Sequence, residues 1–417
     1  MTARSRLHTG ESVGHDAAGR IGFPLTERLE RFLAETDLPT PFLVVDLDVV
    51  AERYRQLAGA LPFAELFYAV KANPAAPILR LVDALGGSFD VASPAEIELC
   101  LAEGIDPSRI SYGNTIKKER HIAWAYEQGV RVFAIDSDAE LDKVIRSAPG
   151  SLVCCRLLCN ENPGADWPLS RKFGCEPSLA VEVLARAAGA GLSVGVSFHV
   201  GSQQRDPDAW GPALAEVAKV RAELRRRGVE LDVVNLGGGF PAHYDSTIAP
   251  IGAYGASITA ALRRRLGEPD RGELRIMAEP GRYLVADAGV MRSEVVLVAR
   301  KSELEERRWV YLDVGMFGGL AETMDEAIRY RVRTSRDGDP TGPVCIAGPT
   351  CDSADILYQK TDYRLPLSLA PGDWFELMST GAYTTTYSSV GFNGFSPLAS
   401  HYLPARAEAA AAEDRAA

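Results

Sequence analysis

Positive charge is what this sequence is shortest of. Its 417 residues carry 45 lysines and arginines against 56 aspartates and glutamates, a formal charge of −11, with an isoelectric point near 5.2. Nucleic acid and anionic membrane both require a basic face, so neither is expected as the main partner. Cysteine is scarce as well: seven residues, an odd number, with no CxxC pair. That excludes a disulfide framework and a zinc site, and no metal is expected. Cys154 and Cys155 are adjacent in an apolar run and read as core thiols, so a reducing, cytoplasmic setting is expected. No apolar run is long enough to span a bilayer, and residues 1–20 lack the hydrophobic segment of a signal peptide.

What is present is the composition of a globular protein, 46% hydrophobic and 24% charged. A chain of this length suits a large domain plus a smaller one. Residues 1–20 read as a disordered lead and 401–417 as a tail. Thr40-Pro41-Phe42-Leu43-Val44-Val45-Asp46 reads as a strand that stops at an aspartate, followed by a helix through Val49 to Leu61. Then a rhythm begins. Apolar runs at 66–72, 88–92, 110–113, 130–136, 152–158, 194–201, 233–237 and 274–279 alternate with stretches of helical spacing, such as Ile97, Cys100 and Leu101. Several helices open on N-cap signals (Ser93-Pro94 with Glu96, Asp206-Pro207) and close on glycine (Gly104, Gly129, Gly228). Eight strand-then-helix units predict a closed (β/α)8 barrel over about 41–283, with a doubly wound open sheet as the alternative. After Gly281 the rhythm changes to strands at 290–299, 309–314, 330–334, 344–346 and 373–378 with Gly and Pro between them. This predicts a mostly antiparallel β domain over 284–400, joined by the early strand from about 21–45.

The unusual polar residues gather at one end of those strands. Lys71 ends the first, Asp90 the second, Arg156 lies late in the fifth, His199 ends the sixth, Gly237-Gly238-Gly239 the seventh and Glu279 the eighth. In a (β/α)8 barrel that end carries the chemistry. Each residue has an ordinary reading beside the functional one. Lys71 is either a strand-end lysine reaching for water or a desolvated amine with a lowered pKa, able to form a Schiff base. His199 is either a satisfied core histidine or a flat ring stacked on an aromatic cofactor. Glu279 is either a salt-bridge partner or the carboxylate that keeps a pyridine nitrogen protonated. The glycine run, Ser202 and Glu279-Pro280-Gly281-Arg282 supply backbone N–H groups, a hydroxyl and a guanidinium, and these converge on one phosphate. Phosphate, aromatic ring, carboxylate and amine together describe pyridoxal 5′-phosphate.

Phe67-Tyr68-Ala69-Val70-Lys71-Ala72-Asn73, His199-Val200-Gly201-Ser202, Gly237-Gly238-Gly239-Phe240-Pro241, Glu279-Pro280-Gly281-Arg282, Gly348-Pro349-Thr350-Cys351-Asp352 and Gly381-Ala382-Tyr383 closely resemble the ornithine/diaminopimelate/arginine decarboxylase family. These are fold type III pyridoxal-phosphate enzymes with an alanine racemase-like barrel. Cys351-Asp352-Ser353 and Phe392-Asn393-Gly394-Phe395 are most similar to the ornithine decarboxylase branch. The resemblance implies that Lys71 carries the cofactor, His199 stacks on its ring and Glu279 meets its nitrogen. It implies that Ser202, Gly238, Gly239, Gly281, Arg282 and Tyr383 hold the phosphate, with Asp90 and Arg156 beside the lysine and the ring. It implies a head-to-tail homodimer in which Cys351 and Asp352 come from the partner, Cys351 as proton donor and Asp352 gripping a distal amine.

The resemblance thus predicts decarboxylation of a basic L-amino acid, ornithine to putrescine with lysine to cadaverine as a second reaction. Arginine, diaminopimelate or a D-amino acid are the alternative substrates. The acid that reads the distal amine is sought at Asp325 or Glu326, with Glu322 near by, or these acids simply open an exposed helix. Two other classes compete. A fold type III racemase would set an arginine in place of Glu279 and lack the Cys351-Asp352 pair. A non-catalytic homologue would have lost the lysine or the phosphate contacts.

Overall fold

The computed structural model describes residues 14–15, 21–22, 25–159, 164–167, 171–269, 272 and 274–406. The expected lead lies outside them apart from 14–15, and so does the tail from 407 onward.

Eight parallel strands close into a barrel: Ala64–Ala69, Ser88–Val91, Ile110–Tyr112, Val132–Ile135, Leu152–Arg156, Ser193–Ser197, Val233–Asn235 and Arg275–Ala278. Each falls within one of the expected runs or overlaps it. The eighth pairs with the first, Ile276 opposite Ala64, and this closure removes the open-sheet alternative. Alternation along the strands sorts side chains into two layers. Phe67, Val132, Leu152, Cys154, Val233 and Met277 pack as the barrel's interior plug, whereas Leu66 and Tyr68 join the core that includes the helices. The plug leaves no room in the sixth strand for anything but glycine: a Cβ on Gly195 would lie 3.0 Å from Val233 Cβ and 3.1 Å from Cys154 Sγ. Ser93 caps the helix Pro94–Ala102 by accepting from Glu96 N–H, and Gly104, Gly129 and Gly228 follow their helices with φ of 79°, 101° and 76°.

The second domain is a sheet built on the 11-residue strand Gly289–Ala299. It pairs antiparallel with Phe42–Asp46, Trp374–Met378 and Arg308–Leu312. The early strand is buried at every position, and an apolar run with both faces covered needs a place inside a sheet. Its other edge is taken by Ala399–Leu403, in parallel, so the sheet extends past residue 400. Buried backbone groups on that edge need partners, and these residues supply them. Ile356–Tyr358 and Arg364–Pro366 add two short strands that the sequence reading did not anticipate; each pairs with Thr341–Ala347.

The junction between the domains positions the site. Beyond Met378 the chain crosses the barrel mouth, where Tyr383 N–H donates to Ala72 O at 2.8 Å. Thr386 Oγ1 donates to Lys71 O at 2.9 Å, and Asn73 Nδ2 to Gly381 O at 3.0 Å. Among the described residues no helix is long and apolar enough to cross a membrane, and no group of three or more His, Cys, Asp or Glu side chains could hold a metal ion.

Candidate active site

Lys71 lies in the helical turn Val70–Ala72 that follows the first barrel strand. Its Nζ is 3.7 Å from Asp90 Oδ2, and its side chain is 52% exposed while that of Asp90 is 5% exposed. Of the two readings open for this lysine, the desolvated amine with a lowered pKa is not found. Burial pulls the amine down, but Asp90, Tyr383 and Glu279 together push it further up, and it ends above its ordinary value. The cleft is therefore acidic around the lysine. The Asp90 carboxyl is in turn pushed well above the usual range by burial and by Glu279, with Lys71 offsetting only part. Its Oδ1 is buried without a hydrogen-bond partner. Gly113 makes room for it, since a Cβ there would fall 1.9 Å from Oδ1.

His199 follows the sixth strand. Gly201 N–H donates to its Nδ1 at 3.0 Å, which leaves the ring's proton on Nε2. Burial, Arg156 and Lys71 hold its pKa well below the ordinary value, so the ring is neutral at neutral pH. Arg156, on the fifth strand, is half-buried, and its guanidinium lies 5.0 Å from the Phe173 ring centroid. Glu279 closes the eighth strand, with its N–H on Gly237 O at 2.8 Å. Asn235 orients its carboxylate: Nδ2 donates to Glu279 Oε1, while Asn235 Oδ1 accepts Gly237 N–H at 2.9 Å.

Lys71, His199, Ser202, Gly238, Gly239, Glu279, Gly281, Arg282 and Tyr383 line one cleft. A Cβ on Gly238 would meet Glu279 O at 2.6 Å and His199 Nε2 at 3.3 Å, and one on Gly239 would meet Gly201 O at 2.6 Å. Close backbone approach thus requires glycine at both. Gly281 has Tyr383 Oη 3.3 Å from where its Cβ would be, and Tyr383 itself is held at φ 57°. Arg282 lies under this wall, its Cζ 4.8 Å from the Tyr383 ring centroid, and donates to Ser202 Oγ from Nη2 at 3.1 Å.

Four expected residues stand apart. Cys351 is exposed and does not line the Lys71 cleft of its own chain; its N–H donates to Asn393 Oδ1 at 2.8 Å. Asp352 caps the next turn by accepting Ala354 N–H at 2.8 Å. Glu326, sought as a substrate-reading acid, is corrected: its carboxylate accepts from Gln359 N–H, Lys360 N–H, Thr361 N–H and Thr361 Oγ1, all within 2.7 Å. Those four bonds leave it a structural clamp. Asp325 is 89% exposed, with Lys360 Nζ 3.9 Å away. Asn235 and Tyr244 are site residues that the sequence reading did not place, and Glu322, considered there among the acids for a distal amine, is instead paired with Arg282. Asn235 ends the seventh strand, so the strand-end rule that found His199 and Glu279 could have found it. Tyr244 and Glu322 reach Arg282 from a loop and from the second domain, where no strand position marks them.

The donor set fits pyridoxal 5′-phosphate: an amine, a neutral flat ring, an oriented carboxylate and a glycine-floored cup with a hydroxyl, a phenol and a guanidinium. Residues 47–286 match the family described as pyridoxal-dependent decarboxylase, pyridoxal binding domain. The chain is 34% identical over 376 residues to the lysine/ornithine decarboxylase of Selenomonas ruminantium, covering 89% of this chain and 92% of the relative. It is 34% identical over 376 residues to decarboxylase flvG of Aspergillus flavus, covering 87% and 85%. Among solved structures, the lysine/ornithine decarboxylase of Vibrio vulnificus with putrescine superposes with a TM-score of 0.79 at 31% identity, covering 90% of this chain and 97% of that one. Its cadaverine complex gives 0.81 at 31% identity, covering 91% and 100%. With the lysine, the ring, the carboxylate and the phosphate cup at one barrel rim, and these similarities running through both domains, the chain belongs to the fold type III pyridoxal-phosphate-dependent decarboxylases, in the branch of the ornithine and lysine decarboxylases.

Proposed function

We propose that this enzyme decarboxylates basic L-amino acids, L-ornithine to putrescine foremost and L-lysine to cadaverine second, as a homodimer with shared sites. The observation that carries the substrate reading is the turn Ala321–Glu326. Of its three acids, Glu322 is paired with Arg282 and Glu326 is spent on backbone, which leaves Asp325 open to a ligand. A distal ammonium needs such a carboxylate, because a desolvated charge without a partner is costly. The Selenomonas relative's name and the Vibrio complexes with two diamines support the same substrate class.

Bound pyridoxal phosphate supplies the electron sink that receives the pair left when carbon dioxide departs. Lys71 would hold the cofactor through its amine at the rim. Glu279, aimed by Asn235, would place a carboxylate at the ring nitrogen and so favour positive charge there. Neutral His199 would lie against the ring and keep water from it. Cys351 of the partner subunit returns a proton to the substrate carbon, and Asp352 of the partner subunit joins Asp325 at the distal amine. The dimer reading is supported by apolar side chains exposed near Cys351: Val390 at 80%, Phe395 at 45% and Phe392 at 37%. A second copy would cover them.

The test is carbon dioxide release from ornithine, lysine, arginine, diaminopimelate and neutral amino acids, with D-isomers included. Ornithine is expected to lead lysine by roughly 10- to 200-fold in kcat/KM, the discrimination that one methylene allows. Fastest turnover of a neutral or D-amino acid, or loss of optical activity without carbon dioxide, would overturn the proposal.

A further inference from the structure

The guanidinium of Arg282 already has a full set of partners. Nη1 donates to Glu322 Oε2 at 2.7 Å and to the Tyr244 hydroxyl at 2.8 Å. Nη2 donates to Glu322 Oε1 at 2.6 Å and to Ser202 Oγ at 3.1 Å, and Nε also approaches Ser202 Oγ, at 3.3 Å. The pair is a bidentate fork with both side chains nearly buried, 3% exposed for Arg282 and 6% for Glu322. Its two halves come from different domains, Arg282 from the turn after the eighth barrel strand and Glu322 from the turn Ala321–Glu326.

The geometry divides the guanidinium between two tasks. One edge, Nη1 and Nη2, faces Glu322, while the other, Nε and Nη2, faces Ser202 and the cup. Ser202 Oγ accepts from Arg282, so its own proton remains for an anion in the cup. A phosphate arriving there meets a cation whose charge is largely balanced beforehand. We propose that Glu322 is a resident counter-ion for Arg282: it keeps the cofactor-free cup neutral and stable, and it thereby limits how tightly the cofactor's phosphate is held. Glu322 is on this view a positioning and charge-setting residue that touches neither substrate nor cofactor.

The consequence follows from linkage. Breaking a buried ion pair by removing one partner is strongly destabilising, because the other charge is left uncompensated. In the loaded protein the phosphate supplies the missing negative charge, so the same substitution costs less there. A substitution that harms the cofactor-free state more than the loaded state must tighten cofactor binding by the difference.

The experiment compares wild type with Glu322→Gln as apoenzymes, titrated with pyridoxal phosphate and separately with pyridoxal, which lacks the phosphate. The variant is expected to bind pyridoxal phosphate more tightly, by about 5- to 150-fold, the usual span for coupled sites. Pyridoxal affinity is expected to stay at the wild-type value. The apoenzyme of the variant should melt below wild type, and inorganic phosphate should raise its melting temperature more than it raises that of wild type. Weaker binding of pyridoxal phosphate, or equal changes for the two ligands, would overturn the proposal in favour of a purely structural role. Wild type binding pyridoxal as tightly as pyridoxal phosphate would overturn it together with the phosphate cup itself. If Glu322→Gln does not fold alone, the double variant E322Q/R282M removes both charges and should recover the folded apoenzyme; no recovery would likewise overturn the proposal.

Discussion

Asp287 offers the most quantitative test of how the site is held together. Its carboxylate has no exposure and gathers three parts of the chain. Oδ1 accepts His243 N–H at 3.0 Å and the Ser379 hydroxyl at 2.9 Å, and Oδ2 accepts Arg53 Nη2 at 3.1 Å and lies 2.7 Å from His243 Nδ1. Arg53 sits on the helix Leu47–Ala60, His243 follows the glycine loop, and Ser379 begins the run to Tyr383. Burial alone would raise the carboxyl's pKa, but His243 and Arg53 outweigh it and bring it from 3.8 to about 2. Because the folded protein favours the ionised form, the stabilisation is complete above the unfolded value and is lost as pH falls through the folded one. The interval between 3.8 and about 2 corresponds to roughly 2.4 kcal/mol at pH 7, of which about half remains at pH 3. Asp287→Asn, which cannot ionise, should therefore be less stable than wild type at pH 7, with the difference narrowing toward pH 2. Thermal melts of both proteins from pH 7 to 2.5 measure it. A difference that stayed constant from pH 7 to pH 3 would refute the claim that the folded protein prefers the ionised acid.

Three further outcomes are expected. Lys71→Ala should lose the visible absorption of the bound cofactor while keeping its far-UV spectrum, and an unchanged visible band would place the covalent link elsewhere. Asn235→Ala releases a hydrogen bond to a carboxylate, worth about 1.5–3 kcal/mol, and should lower kcat with little change in KM; an unaltered kcat would remove Asn235 from the machinery. Mixing inactive Lys71→Ala and Cys351→Ala proteins should restore about a quarter of wild-type activity, since half of randomly formed symmetric dimers are mixed and each holds one complete site. No recovery after exchange would contradict shared sites.

The barrel was legible because its signal is local and repeated. A short apolar run marks each strand, and caps such as Ser93 and glycines such as Gly104 mark the helices between. The rim residues were legible for the same reason: a polar side chain at the end of an apolar run stands out, and in a parallel barrel all such ends face one way. The short strands Ile356–Tyr358 and Arg364–Pro366 were not, because they exist only by pairing with Thr341–Ala347. The charge state of Lys71 was not legible either, since it depends on Asp90, Tyr383 and Glu279, which come from distant parts of the chain.

What the sequence determined by itself was the order of elements, the barrel rim as the place of chemistry, and the cofactor that the rim would take. Tertiary structure alone decided that the sheet closes, through the pairing of Ile276 with Ala64, and that the second domain pairs with Arg282 behind the cofactor cup through Glu322. It also decided which acid of the turn Ala321–Glu326 is left exposed, since Glu322 and Glu326 are spent on Arg282 and on the backbone at 359–361. The physical reason is common to all of these. A side chain's periodicity is a property of its neighbours in sequence, whereas its charge, its hydrogen bonds and its availability to a ligand are set by whichever groups folding brings against it.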